Sequence, residues 1–240
     1  MSSSNQSMRG KLHLLFVRHG ETQDNIDRLM QGHRDTNLTE KGVREAHVLA
    51  DKLRGQHIDS VYHSPLRRIV QTIEPLLSDR PGVQVHADED LKGQGLGELE
   101  GCSYDAIDMG NPRSADGQPG VELFDDFVRR LKRSFARIVG AEAPQVQQQD
   151  RTVVIATHGV GITSLFKALE SSPSCQGFNP PLATRGPQAF EVRWTDSDDV
   201  ARLLVSQPAN LPVTDGLLDW SAISGQPFLI ERWGKEEKAI

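Results

Sequence analysis

Two histidines in this chain occupy positions from which they could do covalent chemistry. His19 sits in Arg18-His19-Gly20-Glu21, directly after the apolar run 12–17, and His158 sits in Thr157-His158-Gly159, directly after Val153-Val154-Ile155-Ala156. An imidazole that is neutral at one nitrogen and held rigidly by the other is a nucleophile for a phosphoryl group. A following glycine lets the backbone approach closely. The transferred group carries its charge on the equatorial oxygens, so catalysis is mainly positioning and electrostatic stabilisation. Arginine suits those oxygens because its guanidinium is always charged and donates in pairs. Arg18 adjoins His19, and Arg67 and Arg68 fall in the first turn of a helix expected to open at Ser64-Pro65. The helix start adds a positive end and free amides.

A lone histidine after a strand is ordinarily structural, and an arginine pair on a helix is ordinarily a solvated face. Two His-Gly turns after apolar runs, with arginine at a Pro-started helix, together describe a site for a tetrahedral anion. His13, His47, His57 and His86 have no such setting and are read as structural or surface groups. His33 and His63 lie near the motifs and are read as non-catalytic.

The elements that must position these groups follow from periodicity. Apolar runs predict strands over 11–17, 59–63, 83–86 and 152–156. Ala46, Leu49, Ala50 and Leu53 share one face of a helix over 40–54, with Thr39 as its N-cap. Ser64 is expected to cap the helix that runs to about Leu77, with Pro65 at its first position. Phe124, Phe127, Val128, Leu131, Phe135 and Ile138 share a face of a helix over 122–139, and a further helix follows over 160–169. Strands alternating with helices imply a three-layer α/β/α fold with a mostly parallel central sheet. In such a sheet the strand C-termini converge on the ligand crevice. Residues 190–194 and 201–205 are expected to form a last pair of strands, as a hairpin at an edge. Residues 87–121 and 171–188 read as irregular insertions, 1–10 as a disordered tail, and 11–240 as a single domain whose part after Gln207 is weakly patterned.

Composition narrows the function classes. The 240 residues carry a net charge of −6, with pI ≈ 5.8, so no basic surplus exists to neutralise a nucleic acid. No stretch approaches the ~18 apolar residues of a membrane span. The Ser/Asn/Gln-rich start lacks the apolar core of a signal peptide. The two cysteines, Cys102 and Cys175, form no CxxC and fit no zinc spacing. A cytoplasmic protein is expected, with a small phosphorylated partner, no cofactor and no metal. Oligomeric state is not readable.

Taken in order, Phe-Val-Arg18-His19-Gly20-Glu21-Thr22, Asn25, Gln31-Gly32, Asp35, Leu38-Thr39-Glu40-Lys41-Gly42, Ser64-Pro65-Leu66-Arg67-Arg68 with Gln71-Thr72, and Thr157-His158-Gly159 resemble the histidine phosphatase superfamily, the phosphoglycerate-mutase-like clan. The likeness spans about residues 12–170. It implies a phosphoglycerate-mutase-like fold. His19 would be the phosphorylated nucleophile, Arg18 and Arg68 the phosphoryl ligands, and His158 the group completing the pocket. It implies substrate contacts for Asn25 and Gln31, with Thr22 and the Gly159 amide as weaker candidates.

One position departs from the pattern. The family commonly places a general-acid glutamate where this chain has Gly93, within Leu91-Lys92-Gly93-Gln94-Gly95-Leu96-Gly97. Protonation of a leaving group by a positioned acid contributes ~10²–10⁴-fold. Either another carboxyl substitutes, or the leaving group needs little help, or the reaction is not ordinary ester hydrolysis. Glu122, after Pro119-Gly120, is the preferred substitute; Glu98 and Glu100 are closer in sequence but expected to point elsewhere. The reading that follows is a phosphatase acting through phosphohistidine. The alternatives are a phosphomutase or diverted family member acting on a phosphorylated or diphosphorylated intermediate, and a phosphate-ligand binder that has lost turnover. The mutase branch typically carries Trp before the motif's Asn, whereas Asp24 precedes Asn25 here.

Overall fold

Strand β1 (Leu12–Arg18) is buried along nearly its whole length because it lies inside a six-stranded sheet of order β3-β2-β4-β1-β5-β8. Its neighbours are β4 (Arg151–Thr157), parallel, and β5 (Val200–Val205), antiparallel. Strands β2 (Ser60–His63) and β3 (Gln84–Ala87) extend the parallel part, and β8 (Phe228–Trp233) closes the other edge antiparallel to β5. A separate two-stranded ribbon pairs β6 (Val213–Thr214) with β7 (Leu217–Leu218). The computed structural model describes residues 10–147 and 149–170, and the backbone of the strand segments 200–205, 213–214, 217–218 and 228–233.

Alternation along the central strands divides the core into two layers. Leu12, Leu14, Phe16, Val153 and Ile155 point to one face, where Phe135, Ile138 and Val139 of α4 (Phe124–Glu142) and Ile162 and Leu165 of α5 (Gly159–Glu170) cover them. Leu15, Val17, Val154, Ala156 and Val61 point to the other, under Leu49 and Leu53 of the α2 segment (helix Glu40–Lys52) and Ile69, Ile73 and Leu76 of α3 (Arg67–Ser78). A four-residue helix α1 (Gln23–Ile26) follows the β1 turn. The result is the expected three-layer α/β/α arrangement. No helix among the described residues is long and apolar enough to cross a membrane.

Local details differ from expectation in ways that matter for the site. Thr39 caps α2 as expected, its hydroxyl accepting from the Gly42 amide at 3.0 Å. Ser64 does not cap α3. That helix starts at Arg67 after an extended Leu66, and Ser64 is fully buried behind it. Helix α4 starts at Phe124 rather than 122: the Glu122 carbonyl accepts from Gln94 Nε2 at 2.8 Å, and the Asp126 amide bonds the Leu123 carbonyl instead. Gly10, assigned to the tail, is buried and bonded to Gln147; residues 1–9 lie outside the described residues. So do 171–188 and the strand expected over 190–194. The partner of β5 on its outer side is 228–233, in the segment that had no readable pattern.

The stretch 87–121 is irregular but tied down. Short 3₁₀ turns occupy 89–91, 97–99 and 104–106. Asp88 and Asp90 pair with Arg133 and Arg137 of α4, and Arg130 donates to the carbonyls of Asp90, Lys92 and Gly93. This clamp holds the turn 90–93 against α4, and the turn in turn passes beside His158.

Candidate active site

Parallel pairing brings the two motif histidines together. Arg18 lies opposite Thr157 in the β1–β4 register, so the next residue of each strand leaves the sheet beside the other. The His19 and His158 ring centroids are 5.4 Å apart, tilted by 57°. Both rings are buried.

His19 Nδ1 lies 2.8 Å from the Gly20 carbonyl oxygen. A carbonyl only accepts, so Nδ1 carries the proton and Nε2 presents a lone pair. Burial, then the charges of Arg18 and Arg68, hold the His19 pKa well below the ordinary imidazole value, against a smaller opposing pull from the Gly20 hydrogen bond. The turn is fixed by close backbone contact: a Cβ on Gly20 would lie 2.6 Å from the Gly42 carbonyl oxygen, and one on Gly42 would lie 2.2 Å from that of Glu21. The Gly20 amide donates to Thr72 Oγ1, whose hydroxyl donates to the Arg68 carbonyl. His19 and Arg68 are thereby set relative to each other through α3.

Arg68 is the largest fully buried side chain among the described residues, 1% exposed. Its Nη1 donates to the Arg34 carbonyl at 2.6 Å and its Nη2 to that of Gly32 at 2.9 Å. Nη2 also lies 3.3 Å from His158 Nδ1. Its Nε has no hydrogen-bond partner, and no carboxylate pairs with it among the described residues. Burial pushes the guanidinium pKa down to about 10, opposed by Asp35, Asp24 and Glu100. A buried cation that pairs directly with no carboxylate is costly by itself and is well matched to a bound anion.

His158 is held at both nitrogens. Nδ1 accepts from Arg68, so the proton is on Nε2, which donates to Ser64 Oγ at 3.0 Å. Burial, then the charges of Arg68, His19 and Arg18, keep its pKa well below the ordinary value. Arg18 is half-buried and acts on both rings through its charge.

The expected substrate-binding residues form an adjoining cluster. Thr22 is fully buried and spends its hydroxyl on capping α1: it accepts from the Asn25 amide and lies 2.9 Å from Asn25 Oδ1 and 3.1 Å from Gln31 Oε1. Thr36 also donates to Gln31 Oε1. Both side-chain amides are therefore anchored through oxygen, leaving the Asn25 and Gln31 amide nitrogens without a partner among the described residues. Gly159 opens α5 next to His158 and is half-buried.

Glu122 has a different employment from the acid expected of it. Its carboxylate accepts from Arg130 Nε at 2.6 Å, from Arg130 Nη2 at 2.8 Å and from the Gly95 amide at 3.0 Å. Burial pushes its pKa up, but the Arg130 and Gly95 hydrogen bonds outweigh that and hold it below the ordinary carboxylate value. A carboxylate held ionised orders its loop and does not supply a proton. Gly93, at the position the family gives to its acid, packs against the His158 ring: a Cβ there would lie 3.4 Å from His158 Cγ.

Sequence reasoning missed two neighbours. Ser64 was visible as a residue directly after β2, but was assigned to a cap. His33 was set aside; its Nε2 lies 2.8 Å from the Gly93 carbonyl oxygen.

Comparison with known proteins agrees with this geometry. Residues 14–196 match the histidine phosphatase superfamily (branch 1). A 2,3-bisphosphoglycerate-dependent phosphoglycerate mutase from Azorhizobium caulinodans is 33% identical over 192 residues, 75% of this chain and 91% of that protein. A glucosyl-3-phosphoglycerate phosphatase from Mycobacterium tuberculosis is 32% identical over 170 residues, 67% of this chain and 76% of that protein. The solved structure of a mycobacterial glucosyl-3-phosphoglycerate phosphatase with VO3 superposes with a TM-score of 0.66 at 23% identity, covering 93% of this chain and 99% of that one, a likeness of fold. Matching motifs, fold and profile over most of its length, the chain belongs to the histidine phosphatase superfamily.

Proposed function

We propose that the protein is a phosphatase that hydrolyses a small phosphorylated metabolite through a phosphohistidine at His19. The observation that carries this reading is the neutral His19 ring, proton on Nδ1 and lone pair on Nε2, beside a buried Arg68 that pairs with no carboxylate among the described residues. His19 Nε2 attacks phosphorus as the ester P–O bond breaks. Arg68 and Arg18 meet the equatorial oxygens, and His158 holds Arg68 in line through Nδ1. Water then cleaves the N–P bond, releasing phosphate and restoring the ring. The Asn25 and Gln31 amide nitrogens are suited to hold the rest of an anionic substrate. Relatives named for phosphoglycerate substrates support an organic phosphate monoester.

The test is turnover of p-nitrophenyl phosphate and a panel of phosphorylated metabolites, with acid-labile phosphate on the quenched protein. His19→Ala should abolish both. A second reading, a phosphate-ligand binder without turnover, is favoured by one observation, the glycine at 93 beside His158. It predicts saturable phosphate binding, no turnover with any ester, and no acid-labile phosphate on the protein.

A further inference from the structure

We propose that His33 is the proton donor to the leaving group, a role resting on the phosphatase reading above. The His33 Nε2 lies 2.8 Å from the Gly93 carbonyl oxygen, which also accepts from Arg130 Nη2 at 2.6 Å. Because a carbonyl cannot donate, Nε2 keeps its proton in both charge states of the ring. The proton that comes and goes is therefore on Nδ1, at the far side of the ring from the anchor.

The anchor ties this ring to the residue that faces His158. Gly93 faces the His158 ring, so that a Cβ there would lie 3.4 Å from His158 Cγ, and its carbonyl bonds His33. His33 is near enough for its charge to bear on both His158 and Glu122. Gly95 supplies clearance: a Cβ there would lie 3.3 Å from His33 Cε1 and 3.6 Å from Nδ1. The backbone amide of His33 is fixed by Glu100 Oε1 at 2.7 Å. The charged and titratable groups around the ring are Glu122 and Arg130 from the α4 side, Glu100 from the loop, and His158 from the β4 turn. Three alternative donors are committed elsewhere. Glu122 is held ionised by Arg130, His158 Nε2–H donates a hydrogen bond to Ser64 Oγ, and His19 Nδ1–H donates one to the Gly20 carbonyl. His33 is also exposed, so it can be recharged from solvent.

The step balances as follows. The His19 Nε2 lone pair forms the N–P bond and the P–O ester bond breaks. The His33 imidazolium gives its Nδ1 proton to the departing oxygen and becomes neutral, with Nε2–H still on Gly93. In the second half, neutral His33 Nδ1 takes a proton from the attacking water as the N–P bond breaks.

The experiment is leaving-group dependence in His33→Gln, which retains an N–H for the Gly93 carbonyl but cannot carry a proton. The kcat/KM value reports steps up to phosphohistidine formation. With glycerol phosphate, whose alkoxide must be protonated, it should fall ~10²–10³-fold. With p-nitrophenyl phosphate, whose phenolate leaves with little help, it should fall less than ~10-fold on the same reasoning. Adding Gly93→Glu to His33→Gln should recover part of the glycerol phosphate rate. An equal loss with both esters, or no loss with either, overturns the role of His33 while leaving the phosphatase reading intact. Wild-type protein that turns over neither ester and leaves no phosphate on His19 sinks both.

Discussion

Arg68 Nη2 stands 3.3 Å from His158 Nδ1, and this contact decides the protonation of the second histidine. A guanidinium has no lone pair to offer, so the imidazole must accept and stay neutral. The same guanidinium reaches two backbone carbonyls from a position buried behind the rings. Lysine at this position is a point charge and cannot meet three acceptors in one plane. Arg68→Lys should therefore lower kcat/KM by ~10²–10³-fold, the scale of losing a preorganised oxyanion ligand. A loss under tenfold would mean that charge alone, without the fork, does the work.

Ser64→Ala removes the acceptor for His158 Nε2. The ring then keeps its Arg68 contact at Nδ1 but loses the second anchor that fixes its orientation. Stability should drop by about 1 kcal/mol, the usual worth of a buried hydrogen bond, while kcat falls more than KM changes. Nitrogen NMR of the His158 ring should show the Nε2–H form in both proteins, because Arg68 still donates to Nδ1. Unchanged stability and unchanged kcat would contradict the geometry.

The glycines should separate sharply. Gly20→Ala drives a Cβ to 2.6 Å from the Gly42 carbonyl oxygen, a backbone atom with no room to yield. The cost should be about 1–3 kcal/mol, as for overpacking, with activity lost as His19 moves. Gly93→Ala meets only ordinary contact at 3.4 Å and should melt close to the parent. Thermal denaturation of both variants checks this; equal melting temperatures would refute it.

Acid should destabilise the fold through the two buried rings. Unfolded imidazoles titrate at 6.5, and the folded pKa values of His19 and His158 lie well below that. As pH falls through 6.5, the unfolded chain binds protons that the folded chain refuses. The contribution is complete above the unfolded value and is lost progressively toward the depressed folded values. Melting temperature should be flat from pH 8 to about 6.5 and then decline. The decline should be shallower in a His19→Asn, His158→Asn double variant. An identical slope in parent and variant would show that these rings do not carry it. The lowered carboxylates Asp90 and Glu122 add their own loss only below their ordinary values of 3.8 and 4.5.

The central strands were legible because β1 and β4 are buried on both faces and so read as unbroken apolar runs. Thr39 was legible because its cap is satisfied within three residues of chain. Ser64 was misassigned because a Ser-Pro pair before a helix looks like a cap, while its actual partner, His158, is 94 residues away. Strand 228–233 was not legible because its pairing is set by β5, not by a pattern of its own. Glu122 drew attention for its place in the chain, but its carboxylate belongs to Arg130, one helix turn pair further on.

The order and spacing of the Arg-His-Gly, Ser-Pro-Leu-Arg-Arg and Thr-His-Gly motifs, by themselves, determined the layered fold and the pair of histidines at its rim. They could do so because strand C-termini in a parallel sheet must meet on one side. Which nitrogen of each ring holds its proton, which carboxylate is spoken for, and which imidazole hangs from the Gly93 carbonyl were decided only by tertiary contacts between distant segments. Proton position depends on the partner across a hydrogen bond, and sequence distance carries no information about that partner.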